Sequence, residues 1–181
     1  MTKEEIIQKL QKNHSQFTKY IFSLRSEDFK FSMNNEKWTA GQQAGHIYLS
    51  IKPLNAILSY PKWLAKMMLK KANRPSKSYE GLVKKYHEKL STGRKAPQRF
   101  VMEAVTEDGK NELLKKIEKS VLKLCAIIKN YSEQELDSVV LPHPLLGYLT
   151  LREMMYFTIY HVEHHHKITE RNLQERLVVK S

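Results

Sequence analysis

The sequence predicts an all-α protein: a four-helix bundle carrying a basic helical and loop insertion between its second and third long helices. Three observations carry this expectation. Only six glycines and six prolines occur in 181 residues, while Leu, Ile, Lys and Glu are abundant, which favours helices over a turn-rich β architecture. Four long stretches repeat apolar residues at helical spacing. Three of the four open on a threonine followed three residues later by Glu or Gln. In that capping box the two side chains satisfy two backbone N–H groups that the first helical turn leaves without partners.

The first helix starts at Thr2, in T-K-E-E, and presents Ile6, Leu10, Phe17, Ile21 and Leu24 on one face to about residue 25. The second starts at Thr39 with Gln42 as its capping partner and runs towards Tyr60. Pro53 lacks an N–H and crowds the preceding turn, which predicts a kink or break near Ile51. The third covers about residues 107 to 131, with Leu113, Leu114, Ile117, Val121, Leu124 and Ile128 as its stripe. The fourth starts at Thr150 in T-L-R-E, with Leu149 and Met154 placed as a hydrophobic staple, and ends near residue 172. Before it, SEQELDSVVLPHPLLGYLT reads as one capped turn and then an extended connection through two prolines. Between the second and third helices, PKWLAKMMLKK reads as a short amphipathic helix and SYEGLVKKYHEKL as a candidate helix between loop-like segments.

A chain of this length fits one domain, residues 1–181, with a sizeable core. No apolar run approaches the ~20 residues of a membrane span, and the start MTKEEIIQKL is charged where a signal peptide is apolar, so the expected location is the cytoplasm. The single cysteine, Cys125, sits in VLKLCAII and reads as core filler. The net charge of +12 is concentrated: residues 61–105 hold twelve basic residues against three acidic ones. That stretch either rims a site for an anionic small molecule, forms a solvated surface, or contacts nucleic acid or an acidic partner. It lacks regular basic–aromatic interleaving and any known nucleic-acid reader motif, so nucleic acid is disfavoured.

Near the C-terminus, YHVEHHHKITE packs four histidines into six residues. On a helical wheel with His161 at zero, Met154, Thr158, Phe157, Leu151, Val162 and Ile168 fall in an arc from roughly −40° to +100°. Arg152, Glu163, Lys167, Glu170 and Arg171 take the opposite side, at roughly 180° to 280°. His165 falls within the apolar arc at about 40°, whereas His164 and His166 fall at its edges. His161 and His165 therefore form an inward pair, costly to bury unless their nitrogens find partners. A divalent metal is one solution, since neutral imidazole is a good ligand for Zn, Ni, Cu or Fe. His46, in WTAGQQAGHIYLS, is the candidate third ligand: Ile57, Ser50 and Leu54 lie within about 80° of it on the wheel. His14, His87 and His143 read as surface or loop residues. Glu163 is not the general base of an H-E-x-x-H site, because the order here is H-V-E-H-H and it falls on the charged face.

Three segments resemble the DinB/YfiT-like superfamily of metal-dependent enzymes: WTAGQQAGH at 38–46, HPLLGYLTLRE at 143–153 and HVEHHHKI at 161–168. The resemblance covers nearly the whole chain except residues 61–105. It implies an up-down-down-up bundle with a nickel or zinc ion held by His46, His161 and His165. It also implies open coordination positions, homodimerisation, and in some members a low-molecular-weight thiol as cofactor in a transferase or isomerase reaction; a hydrolase is the other expectation. The expected pocket residues are Trp38, Gln42, Gln43, Tyr48, Ser50, Thr158 and His164. Two alternatives stay open: a non-catalytic binding protein acting through residues 61–105, and a bundle whose histidines form a metal-free hydrogen-bonded cluster.

Overall fold

The structure, a computed structural model, describes residues 1–32, 37–94 and 96–179, except the side chains of Lys66 and of residues 177–179. In chain order the helices are α1 (Lys3–Ser23), α2 (Ser26–Phe29), α3 (Ala40–Leu58), α4 (Lys62–Met68), α5 (Tyr79–Leu90), α6 (Glu107–Lys129), α7 (Glu133–Ser138) and α8 (Leu151–Val179). A 3-10 turn spans Gln98–Phe100, and three short strands, β1 (Lys70–Lys71), β2 (Val139–His143) and β3 (Gly147–Thr150), pair antiparallel. Lys95, counted in the basic stretch, lies outside the described residues.

The three capping boxes form. Thr2 with Glu5 and Thr39 with Gln42 exchange both side-chain-to-backbone bonds. At α8, Glu153 N donates to Thr150 Oγ1 at 3.1 Å and Thr150 N to Glu153 Oε2 at 2.9 Å. α3 runs unbroken through Pro53, so of the kink or break expected near Ile51 the break does not occur. Ile51, Leu54 and Leu58 are anchored in the core on both sides of the proline, and that burial outweighs one missing backbone bond. α8 continues to Val179, beyond the expected end near residue 172. There Arg176 pairs with Glu27 and Asp28 of α2, and Lys37 with Glu175.

Contacts between the long helices determine their directions. Ile7 lies against Cys125 and Leu24 against Lys110, so α1 and α6 are antiparallel. Asn13 meets Ile159 and Tyr20 meets His166, so α1 and α8 are parallel. Gly41 approaches Val105 and Asn55 bonds Ser120, so α3 and α6 run the same way. His46 and Gln43 face His161 and His165 in reverse order, so α3 opposes α8. The result is up-down-down-up. Two consecutive parallel helices must be joined by a chain that returns along their length, about 30 Å. The basic insertion makes that return, and α5 lies against α8 with Leu82 and Tyr86 buried.

One expectation is refined and two are corrected. The connection before α8 is extended, as expected, and its strands pair as a β-hairpin, with Val140 opposite Thr150, Leu141 opposite Leu149 and His143 opposite Gly147. Gly147 sits at φ 78°, a left-handed conformation that strains any residue with a Cβ. Arg152, expected on the outer face of α8, is covered by α7: Nε donates to Asp137 Oδ1 at 2.7 Å and Nη2 to Glu133 Oε2 at 2.5 Å. His14, expected at the surface, is 2% exposed; Nδ1 donates to the Leu10 carbonyl and Nε2 has no partner among the described residues. His87 is exposed, as expected.

Burial pushes His14 down to about 4. Below its ordinary pKa of 6.5 the unfolded chain binds a proton that the folded chain refuses, so stability is lost as pH falls from 6.5 towards 4. His14→Leu removes that penalty. Its stability gain over wild type is expected to be roughly 2 kcal/mol larger at pH 5 than at pH 8, read by urea denaturation. An equal gain at both values would refute the assignment. Among the described residues, no helix is long and apolar enough to cross a membrane.

Candidate metal centre

Antiparallel packing of α3 on α8 brings His46 against His161 and His165. His161 Nε2 lies 3.1 Å from His46 Nε2 and 3.0 Å from His165 Nε2. All three side chains are buried, at 6%, 5% and 7% exposure. The inward direction of His161 and His165 follows from the four-residue repeat on α8, and that of His46 from its place in the core stripe of α3.

The other ring nitrogens settle the protons. His46 Nδ1 lies 2.8 Å from the Phe100 carbonyl oxygen, which only accepts, so Nδ1 donates and Nε2 carries a bare lone pair. His165 Nδ1 donates in the same way to Gln43 Oε1, leaving its Nε2 bare as well. Two lone pairs thus converge on His161 Nε2, which has at most one proton to share between them. A cation satisfies all three. Two donors about 2.0–2.1 Å from one ion and about 90–110° apart lie about 3 Å from each other, which is the spacing found here. The trio could therefore hold a metal ion.

Electrostatics favour the ligand-competent state. Burial pushes His46 below its ordinary pKa, and burial followed by the neighbouring histidines pushes His161 and His165 well below theirs. All three are neutral imidazoles at pH 7, the form that binds metals.

The histidines lie at the wall of a cavity of about 790 Å³. Of the expected pocket residues, Trp38, Ser50, Thr158 and His164 line it. Trp38 covers two of the imidazole rings, its centroid 5.0 Å from that of His46 and 6.2 Å from that of His165. Gln43 stands behind the trio, orienting His165. Gln42 and Tyr48 do not line the cavity. The Gln42 amide is occupied by the cap, its oxygen accepting from Thr39 N, and its nitrogen donates to the Met102 carbonyl. Tyr48, two residues past His46, is rotated about 200° round the helix and packs against the core from the other side. His166 points away from the trio, against the rings of Phe17 and Tyr20.

Several contributors were not foreseen. His143, expected on the surface or in a loop, ends β2 and lines the cavity. Its Nδ1 accepts from Leu145 N and Leu146 N, so the neutral ring carries its proton on Nε2. Burial, then Lys85, pushes it down to about 4. Phe157 sits between His143 and His161, edge-on to the first at 4.2 Å and stacked on the second at 4.6 Å. Phe157 was legible, sitting one turn before His161 on the apolar arc. Phe100 was not, because it acts through its backbone carbonyl.

The strap carrying Phe100 depends on Gly45. A Cβ there would lie 2.6 Å from Met102 Cβ and 2.4 Å from Met102 Sδ, closer than real Cβ atoms come. The Met102 Cβ is tied to the backbone, so the strap must move, and the Phe100 carbonyl with it. Gly45→Ala is expected to weaken binding of an added divalent ion about ten- to a hundredfold while far-UV circular dichroism stays as in wild type. Wild-type affinity in that variant would show that the strap does not orient His46.

No curated protein matches the chain. Residues 9–168 match the DinB superfamily. Because this match covers most of the chain, including His46, His161 and His165, the chain belongs to the DinB superfamily.

Proposed function

We propose that the protein is a metal-dependent enzyme of the cytoplasm, in which His46, His161 and His165 hold a divalent ion, nickel or zinc. In this reading a small molecule in the adjoining cavity is transformed by hydrolysis or by thiol-dependent transfer or isomerisation. The observation that carries it is the convergence of two bare Nε2 lone pairs on a third buried imidazole at a cavity wall. Three protein ligands leave coordination positions free for water or substrate, as in catalytic rather than structural sites. Bound there, the ion would supply Lewis acidity and a nucleophile usable at neutral pH.

The chain's own groups have distinct tasks in this reading. Phe100 O and Gln43 Oε1 fix the ring orientations of His46 and His165. Trp38 and Phe157 shield the imidazoles from solvent, and His143 offers an N–H donor on the cavity wall. A low-molecular-weight thiol as co-substrate and a homodimeric state accompany the proposal. The alternative, a nucleic-acid or acidic partner on residues 61–105, has less support. Arg74 in that stretch is engaged by Glu153, and α5 is built into the bundle through Leu82 and Tyr86.

Protein purified without a histidine tag is expected to contain close to one nickel or zinc ion per chain by elemental analysis. The content should drop in His46→Ala and in His165→Ala. Wild-type protein that carries no ion and takes up none from added zinc or nickel would overturn the proposal.

A further inference from the structure

We propose that the molecule accepted by the cavity is an amphipathic anion, its apolar body seated among aliphatic and aromatic walls and its single carboxylate-like group held by Arg94, Arg99 and Lys52. This rests on the reading of the three histidines as a reaction centre. The cavity is divided chemically. Its body is walled by side chains such as Leu54, Ile57, Leu90, Leu141 and Phe157. Its charged lining consists of Lys52 from α3 and Arg94 and Arg99 from the connection between α5 and α6, with no carboxylate among the described lining residues.

These three cations differ from others in the protein. Arg74, Arg152, Arg176 and Lys62 are each paired with a carboxylate. Lys52, Arg94 and Arg99 have no such pairing among the described residues. Exposed cations on a convex surface would be screened by water, but here they share the lining of an apolar cavity, where a bound anion is partly desolvated and the attraction is stronger. The planar guanidinium also fits a carboxylate with two parallel hydrogen bonds. Arg99 is held over the Phe100 ring, 5.1 Å from its centroid, and directly precedes the residue whose carbonyl orients His46. The connection between α5 and α6 therefore supplies two of the three cations and the orientation of a proposed ligand. A volume of about 790 Å³ accommodates a molecule of this kind.

The test is calorimetric titration with octanoate, octan-1-ol and octylamine, which share a chain and differ in head-group charge. Each is titrated into metal-loaded and chelated wild type and into Arg94→Gln/Arg99→Gln. Both arginines are exposed, so the double variant is expected to unfold at the wild-type temperature. Octanoate is expected to bind about tenfold or more tightly than octan-1-ol, with octylamine weakest, and this order should collapse in the double variant. The preference should also shrink as salt is raised. Equal binding of the three probes, or no binding of any, would overturn the inference. A preference that survives in the double variant and vanishes on chelation would also overturn it, placing the anion on the ion while leaving the metal centre intact. A preference lost in the double variant from protein that takes up no metal would support the anion site and remove only the reaction centre.

Discussion

Replacing His161 by alanine is expected to strip the protein of its divalent ion and of the stability that ion confers. His161 Nε2 is the atom common to both short donor–donor distances, 3.1 Å to His46 and 3.0 Å to His165. Without it, the remaining two imidazoles sit on different helices with no third nitrogen to close the site. An ion present at a hundred times its dissociation constant stabilises the folded chain by about 2.7 kcal/mol. For a chain of this size that corresponds to a rise in unfolding temperature of about 5–10 °C. Wild type should show such a rise on adding zinc or nickel and lose it with a chelator, whereas His161→Ala should show none and analyse as metal-free. A variant that keeps a stoichiometric ion would remove His161 from the ligand set.

Glu153→Ala is expected to cost about 2–4 kcal/mol of stability, or about 5–15 °C in unfolding temperature. The Glu153 side chain is fully buried, and its carboxylate accepts from Arg74 Nη1 at 2.7 Å, Arg74 Nη2 at 2.8 Å, Lys77 N at 2.8 Å and Thr150 N at 2.9 Å. It thereby caps α8 and ties the insertion to the helix that carries His161 and His165. Removing it leaves two backbone N–H groups without their acceptor; Arg74, a third exposed, can turn to water, which keeps the cost below that of a sealed pair. Burial raises the carboxyl pKa, but the Arg74 bonds and the two backbone N–H groups outweigh it and hold the net value below the ordinary 4.5. The folded value is thus the lower one, so Glu153 stabilises the protein above pH 4.5 and its contribution is lost as pH falls through the folded value. Denaturation curves of wild type and Glu153→Ala should therefore differ widely at pH 7 and converge in strong acid. A constant difference between them would assign the effect to packing instead.

Much of the fold was legible because it depends on neighbours in sequence. A capping box needs residues three apart, a core stripe needs a period near 3.6, and an inward histidine pair needs a spacing of four. Thr2, Thr39 and Thr150 with their partners, and His161 with His165, are all of this kind. The hairpin before α8 was not legible, because VVLPH is buried without alternation and its strand character comes from pairing with β3 and β1. Gln42 and Gln43 look equivalent in WTAGQQAGH, yet a one-residue step turns one to the cap and the other to His165.

By itself, the sequence determined the four long helices, their starting points, and the inward direction of His46, His161 and His165, since each is set by local spacing and by the burial of apolar side chains. Only the tertiary structure decided what those histidines meet. The Phe100 carbonyl lies 54 residues from His46, and a carbonyl is present at every position, so no side-chain pattern can mark the one that matters. Arg152 and His14 reversed their expected exposure for a related reason. A helical wheel separates the two sides of one helix but contains no information about which side a neighbouring element will cover.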